Sequence, residues 1–323
     1  MSSSVPRLTR SRVKALATQI VPLGQMPTAP SEAPQQSTTT VSGERAPGTG
    51  SITQLPQDLT RSHTGLSKPD HALLPKKQAW LTRNAVSVPQ GFARHSAAVE
   101  ATLVFGQEEA GTAVCIASDG LLLTCSHCCV DEEGNRPGRS KIHWLIFSTG
   151  TVVGAKCIAW DGRRDLALLR IVKAQPQDDD VGRRGRLLLG GCDQTDGQFP
   201  SVKVATDPIA VGSKMMCVGH PGSEDLETEE AGVKTGYDVL HASTGRFRGH
   251  AEGQDVQDNS EIGALMHDCW TYWGHSGAPL LAWTTGQLVG LHSSWDDETA
   301  MRRGVALEAV REFLQEHGFA HLI

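Results

Sequence analysis

From residue 96 onward the chain is a succession of short β-type runs cut by turn residues, and this pattern restricts the fold more than any other feature. The runs are AVEATLVFG (98–106), GTAVCIASDG (111–120), LLLTCSH (121–127), KIHWLIF (141–147), TVVGAKCIAW (151–160), LALLRIV (166–172), VKVA (202–205), KMMCVG (214–219), DVLHASTGRF (238–247), APLLAW (278–283) and QLVGLHSSW (287–295). Asp119-Gly120 between two of them reads as a hairpin tip. One amphipathic segment, LEAVREFLQEHG (307–318), places Leu307, Val310, Phe313 and Leu314 on one helical face and has Gly318 as a stop. Many short strands with a single terminal helix predict an all-β antiparallel barrel or sandwich.

The first quarter of the chain is different. Before Trp80 there is no Phe, Trp, Tyr or Cys, and nine of the sixteen prolines fall in residues 1–79. Such a segment buries too little apolar area to offset its ordering entropy, so residues 1–85 are expected to be a disordered Pro/Ser/Thr-rich tail and 86–323 the folded domain. A chain starting near Lys77 is then expected to fold alone. The basic start, with Arg7, Arg10, Arg12 and Lys14, fits either a mitochondrial presequence or a solvated basic tail.

A formal charge of −6 does not suggest a nucleic-acid-binding surface, and no apolar run is long enough to cross a bilayer. The expected partner is a protein or peptide substrate, without nucleic acid or membrane. Eight cysteines include Cys125, Cys128 and Cys129 around His127. Zinc sites pair such a cluster with a second ligand pair at defined spacing. The others, such as Cys157, Cys217 and Cys269, stand singly among apolar residues, so buried free thiols are expected and neither a metal nor another cofactor.

Residues 271–281, TYWGHSGAPLL, set Ser276 between glycines ahead of an apolar run. A serine hydroxyl attacks well only when a base takes its proton and a third group orients that base. His127 ends LLLTCSH, and Asp165 stands where WDGRRDLALLRI turns into a strand. Each taken singly has a plain reading as a turn histidine, a strand-capping aspartate or a loop serine.

Together, in the order His, Asp, Ser, these segments resemble the chymotrypsin-fold (trypsin-like) serine peptidases, nearest to the bacterial-type heat-shock Deg branch, from about Val99 to Ile323. GTAVCIASDGLLLTCSHC, RRDLALLRI, CVGHPG (217–222), GHSGAPLL and QLVGLHSSW carry the resemblance. It implies two six-stranded antiparallel β-barrels. It also implies a serine endopeptidase with Ser276 as nucleophile, His127 as base, Asp165 as orienting acid, and the amides of Gly274 and Ser276 as oxyanion hole. His275 stands where secreted members have the Asp that pairs with a freed amino terminus. No cysteine fits the partner position of their disulfide. Both departures imply an intracellular enzyme, in cytoplasm or nucleus, with the mitochondrion as the alternative. The 47 residues after Ser276 leave no room for a PDZ domain.

His292 resembles the histidine by which glutamyl endopeptidases and picornaviral cysteine proteases read an acidic or amide side chain, with Thr271 at a matching spacing. Asp296 and Asp297 nearby tilt that expectation toward Gln over Glu, and a packed strand histidine beside an apolar pocket is the competing reading. A catalytically inactive trypsin-fold binding module is the competing function. An esterase is disfavoured by the absence of a strand–turn–helix elbow around the serine.

Overall fold

The structure, a computed structural model, describes residues 52–84, 86–106, 111–130, 134, 136–138, 140–176, 199–225, 228, 230 and 232–323. The basic start, the tail expectation for residues 1–51, Cys192 and most of the polar stretch 176–186 lie outside the described residues.

A two-residue strand, β1 (Thr53–Gln54), precedes the first barrel. That barrel consists of β2 (Thr102–Phe105), β3 (Thr112–Ala117), β4 (Leu121–Thr124), β5 (Ile142–Phe147), β6 (Val152–Asp161) and β7 (Leu166–Ala174). Their order is β7-β4-β3-β2-β5-β6, and the antiparallel pairing of β6 with β7 closes the ring. The second barrel is β8 (Lys214–Gly219), β9 (His241–His250), β10 (Leu265–His267), β11 (Pro279–Ala282), β12 (Leu288–Trp295) and β13 (Arg302–Ala306), closed as β10-β13-β12-β11-β8-β9. Two antiparallel six-stranded barrels followed by the terminal helix are the architecture expected. LLLT is buried throughout, and IHWLIF from His143 on, because both faces meet packed side chains.

Four details depart from the pattern reading. Residues 96–100 are a short helix ahead of β2. VKVA makes a single bridge, Val204 to Leu288, rather than a strand. Strands β10 and β13 were not anticipated: LMH is too short to show an alternation, and RRGVA opens with two charges. Strand β9 begins three residues later than its apolar run.

The largest correction concerns the boundary at 85. Residues 51–323 form one compact unit. In chain order the helices are α1 (Arg61–Thr64), α2 (Lys68–Arg83), α3 (Ser96–Glu100) and α4 (Leu307–Glu316). Helix α2 starts at Ser67, whose hydroxyl accepts from the Asp70 amide, and it buries Leu74, Lys77 and Leu81 along one face. Strand β1 pairs in parallel with β7 on the outside of the first barrel. Side chains fasten the rest. Trp144 Nε1 donates to the Thr64 carbonyl at 2.7 Å, Gln175 Nε2 to the Gln57 carbonyl at 2.7 Å, and Gln78 Nε2 to the Gly150 carbonyl at 3.0 Å. With Trp80 as its one aromatic residue, this segment covers the first barrel with leucines spaced at i and i+7.

Helix α4 buries Leu307, Val310, Phe313 and Leu314, as its periodicity predicts. Its outer face holds the other end of the molecule. Arg164, in the turn before Asp165, reaches Glu312 and Glu316 on α4 and Asp161 in its own turn. Next to it, Arg163 pairs with Asp255 and Asp258, and its carbonyl accepts from the Asn259 amide at 2.8 Å. The Asp165 turn of the first barrel is thus tied to loops and helix of the second.

Candidate active site

His127 lies in the 3₁₀ turn Ser126–Cys129 that follows β4. Asp165 ends the turn between β6 and β7 and is fully buried at 0% exposure. It holds a left-handed backbone conformation, φ +57°, which aspartate tolerates better than most residues. That conformation aims the carboxylate inward. His127 Nδ1 lies 2.9 and 3.0 Å from its two oxygens. The His127 amide (3.3 Å) and the Ser126 hydroxyl (3.0 Å) donate to Oδ1, and the Ser293 hydroxyl donates to Oδ2 at 2.6 Å. A carboxylate with four such donors has its lone pairs committed and its orientation fixed.

Ser293, on β12, joins this pair to Ser276. Its side chain holds Asp165, while its carbonyl accepts the Ser276 hydroxyl at 3.3 Å. Ser276 sits in the turn from β10 to β11. The Thr112 amide on β3 donates to the Ser276 carbonyl at 2.8 Å, so this second-barrel turn docks on the first barrel. The glycines explain the sequence around it. Gly277 has φ +82°, and a Cβ there would overlap the Thr112 carbonyl and the Thr124 hydroxyl. Gly274 has φ +96°, and a Cβ there would come within 2.5 Å of the His220 carbonyl. Only glycine fits either place.

Gly274 contributes its carbonyl to Thr112 Oγ1 at 3.1 Å. Among the described residues the amides of Gly274 and Ser276 donate to no protein acceptor, whereas the intervening His275 amide bonds the Tyr272 carbonyl at 3.0 Å. Two unsatisfied donors flanking a hydroxyl are available to an external oxygen.

His275 and His292 are buried, 1% and 5% exposed. His292 Nδ1 meets His267 Nε2 at 3.0 Å. Burial pushes the His292 imidazole well below its usual range. The nearby basic groups His267, Arg302 and His127 disfavour a further positive charge there, and a backbone hydrogen bond at Arg303 opposes this. Thr271 is buried, and among the described residues no hydrogen bond links it to His292. Sequence reasoning missed Ser293, although its place one residue after His292 in the run QLVGLHSSW was in view.

The cysteines around His127 do not pair with one another; Cys115, Cys125, Cys128, Cys129, Cys157, Cys217 and Cys269 are free. One group of metal-ligating types stands out among the described residues: Cys125, His127 and Asp165, with ligand atoms within 4.8 Å. Hydrogen bonds already use these atoms. The Cys125 thiol donates to the His292 carbonyl at 3.5 Å, and Asp165 is saturated as above. Burial pushes Cys115 and Cys269 up to about 12 and Cys157 up to about 11, so these remain neutral thiols.

Comparison with known proteins places residues 111–291 in the family described as "Trypsin-like peptidase domain". No curated protein matches. Among solved structures, the inactive form of the Rv3671c protease is 16% identical, with 70% of this chain and 92% of that chain covered and a TM-score of 0.46. A mutant of Rv3671c from M. tuberculosis H37Rv, also in an inactive form, is 14% identical over 74% and 98% of the two chains, TM-score 0.47. A serine endoprotease from Yersinia pestis is 16% identical over 72% and 68%, TM-score 0.46.

Proposed function

The chain belongs to the trypsin-like peptidase family, a hydrolase family acting on protein or peptide substrates, and from that premise we propose that it is a serine endopeptidase working through an acyl-enzyme. The observation that carries this reading is the double role of Ser293, which bonds Asp165 with its hydroxyl and Ser276 with its carbonyl. It draws a nucleophile from one barrel and an oriented base from the other into a single cleft.

In the proposed reaction Ser276 Oγ attacks the scissile carbonyl as His127 Nε2 takes its proton. Asp165 holds the proton of Nδ1 and stabilises the imidazolium. The amides of Gly274 and Ser276 receive the developing oxyanion, which costs little reorganisation because they have no other partner among the described residues. His127 then protonates the leaving amine, and water repeats the sequence on the acyl-enzyme. For specificity, His292 and Thr271 remain as an expectation from resemblance, reading an acidic or amide side chain.

A fluorophosphonate probe tests the proposal. The expected result is one adduct, located by mass spectrometry at Ser276 and lost in Ser276→Ala. A folded wild type that takes no label is an inactive binding module instead.

A further inference from the structure

Arg302 opens β13 opposite Trp295 of β12 and His267 of β10. Its guanidinium lies 5.2 Å over the ring of Trp295, which is 42% exposed. Its Nε is buried without a hydrogen-bond partner, and no carboxylate among the described residues pairs with it. The Nε atoms of Arg303 and Arg311 are orphaned as well, but each of those guanidiniums has another hydrogen bond, Arg303 to Gln254 Oε1 at 3.1 Å and Arg311 to the Thr206 carbonyl, and Arg248 pairs with Asp268. Burial, with Arg302 as an added positive charge, also lowers His267, His275 and His292, so these imidazoles stay neutral and add no further positive charge beside the guanidinium.

A partly buried cation without a counter-charge is costly unless something supplies one. Trp295 is two residues past Ser293, about 7 Å along a strand from the carbonyl that takes the Ser276 hydroxyl. That separation suits the side chain of a substrate residue whose own carbonyl lies at Ser276. We propose that Arg302 is a specificity residue whose guanidinium binds a carboxylate on the substrate residue preceding the cleaved bond, so that Glu or Asp is preferred there. This rests on the serine-peptidase reading and deepens it.

The local acids do not compete. Asp296 accepts from the amides of Glu298 (3.1 Å) and Thr299 (3.2 Å), closing its own turn, while Asp297 and Glu298 are exposed. The argument from Asp296 and Asp297 for Gln over Glu therefore loses its footing. His292 is already engaged by His267 and by the Arg303 backbone, so in this proposal Arg302 and not His292 reads the charge.

The test compares kcat/KM for peptides identical except for Glu, Gln or Leu before the cleaved bond. The wild type is expected to favour Glu over Gln by about tenfold or more, as for a charge-assisted bidentate pair. In Arg302→Met the ratio should fall to about one, and Arg302→Lys, which keeps the charge without the planar fork, should keep a reduced Glu preference. Arg302→Lys decides the matter if the Met variant fails to fold, since a Lys variant with no Glu preference overturns the proposal. A labelled wild type with a ratio near one, or a ratio untouched by Arg302→Met, overturns the role of Arg302 alone. A wild type without fluorophosphonate label overturns the peptidase reading beneath it.

Discussion

The two barrels share a strand number and a closed antiparallel order, and both bury many aliphatic side chains, but they differ in the titratable groups they bury. The first buries Leu103, Val104, Phe105, Leu121, Leu122, Leu123, Trp144 and Phe147, nearly all at 0% exposure, and one histidine, His143. The second barrel and its loops bury His220, His267, His275 and His292, at 2%, 0%, 1% and 5% exposure. His220 Nε2, His267 Nδ1 and His275 Nε2 have no hydrogen-bond partner among the described residues. Burial drives all four imidazoles below their usual range, that of His267 to about 3. Aliphatic side chains are indifferent to pH, whereas buried neutral histidines favour the fold only while they stay unprotonated.

The cleft between them, where neither barrel suffices alone, gives the largest expected effect. Ser276→Ala should lower kcat by about four to six powers of ten, and Asp165→Asn by about four through the wrong histidine tautomer. Single-turnover kinetics alongside thermal melts measure this. Activity of Ser276→Ala near the wild-type level would end the mechanism.

Next in size is the cover of the first barrel. A chain beginning at residue 86 loses β1, α1 and α2, and with them Leu55, Leu66, Leu74 and Leu81. At about 2 kcal/mol per buried leucine, the loss is on the order of 8 kcal/mol, enough to leave the domain insoluble or far lower in melting temperature. A truncated chain with an unchanged melting temperature would return the boundary to residue 85.

Acid should then separate the barrels. Each buried histidine has a folded pKa below its unfolded value of about 6.5, so the unfolded chain binds more protons. The stability these groups contribute is present above about pH 6.5 and is lost as pH falls, for His267 down to about 3. Each costs about 1.4 kcal/mol per pH unit in that window. The first barrel adds one such group, His143, lowered to about 4 mainly by burial. Urea unfolding at about pH 7.5 and 5.5 measures the loss, and a flat profile would contradict the neutral-histidine core.

The smallest effect concerns the ties between the halves. Arg164, with a side chain 14% exposed and three carboxylate partners, should cost about 1–2 kcal/mol on replacement by Ala. Arg163, 64% exposed, should cost less than about 0.5 kcal/mol. Equal losses in denaturant unfolding would mean that burial does not set their worth.

The features legible in the amino-acid order are local. Short apolar runs of four to ten residues cut by turn residues marked most barrel strands, the Leu307–Leu314 spacing marked α4, and the glycines around Ser276 marked a turn that excludes side chains. The start of α2 was also written there, as Ser67 followed by Pro69 and Asp70, but the lack of aromatics obscured it. Tertiary structure decided the rest. Strand β10, three residues long, exists because β9 and β13 flank it, not through any pattern of its own. The two hydrogen bonds of Ser293 and the placing of Arg302 beside Trp295 follow from barrel closure and strand register. These join residues far apart in the chain, where no local periodicity can report them.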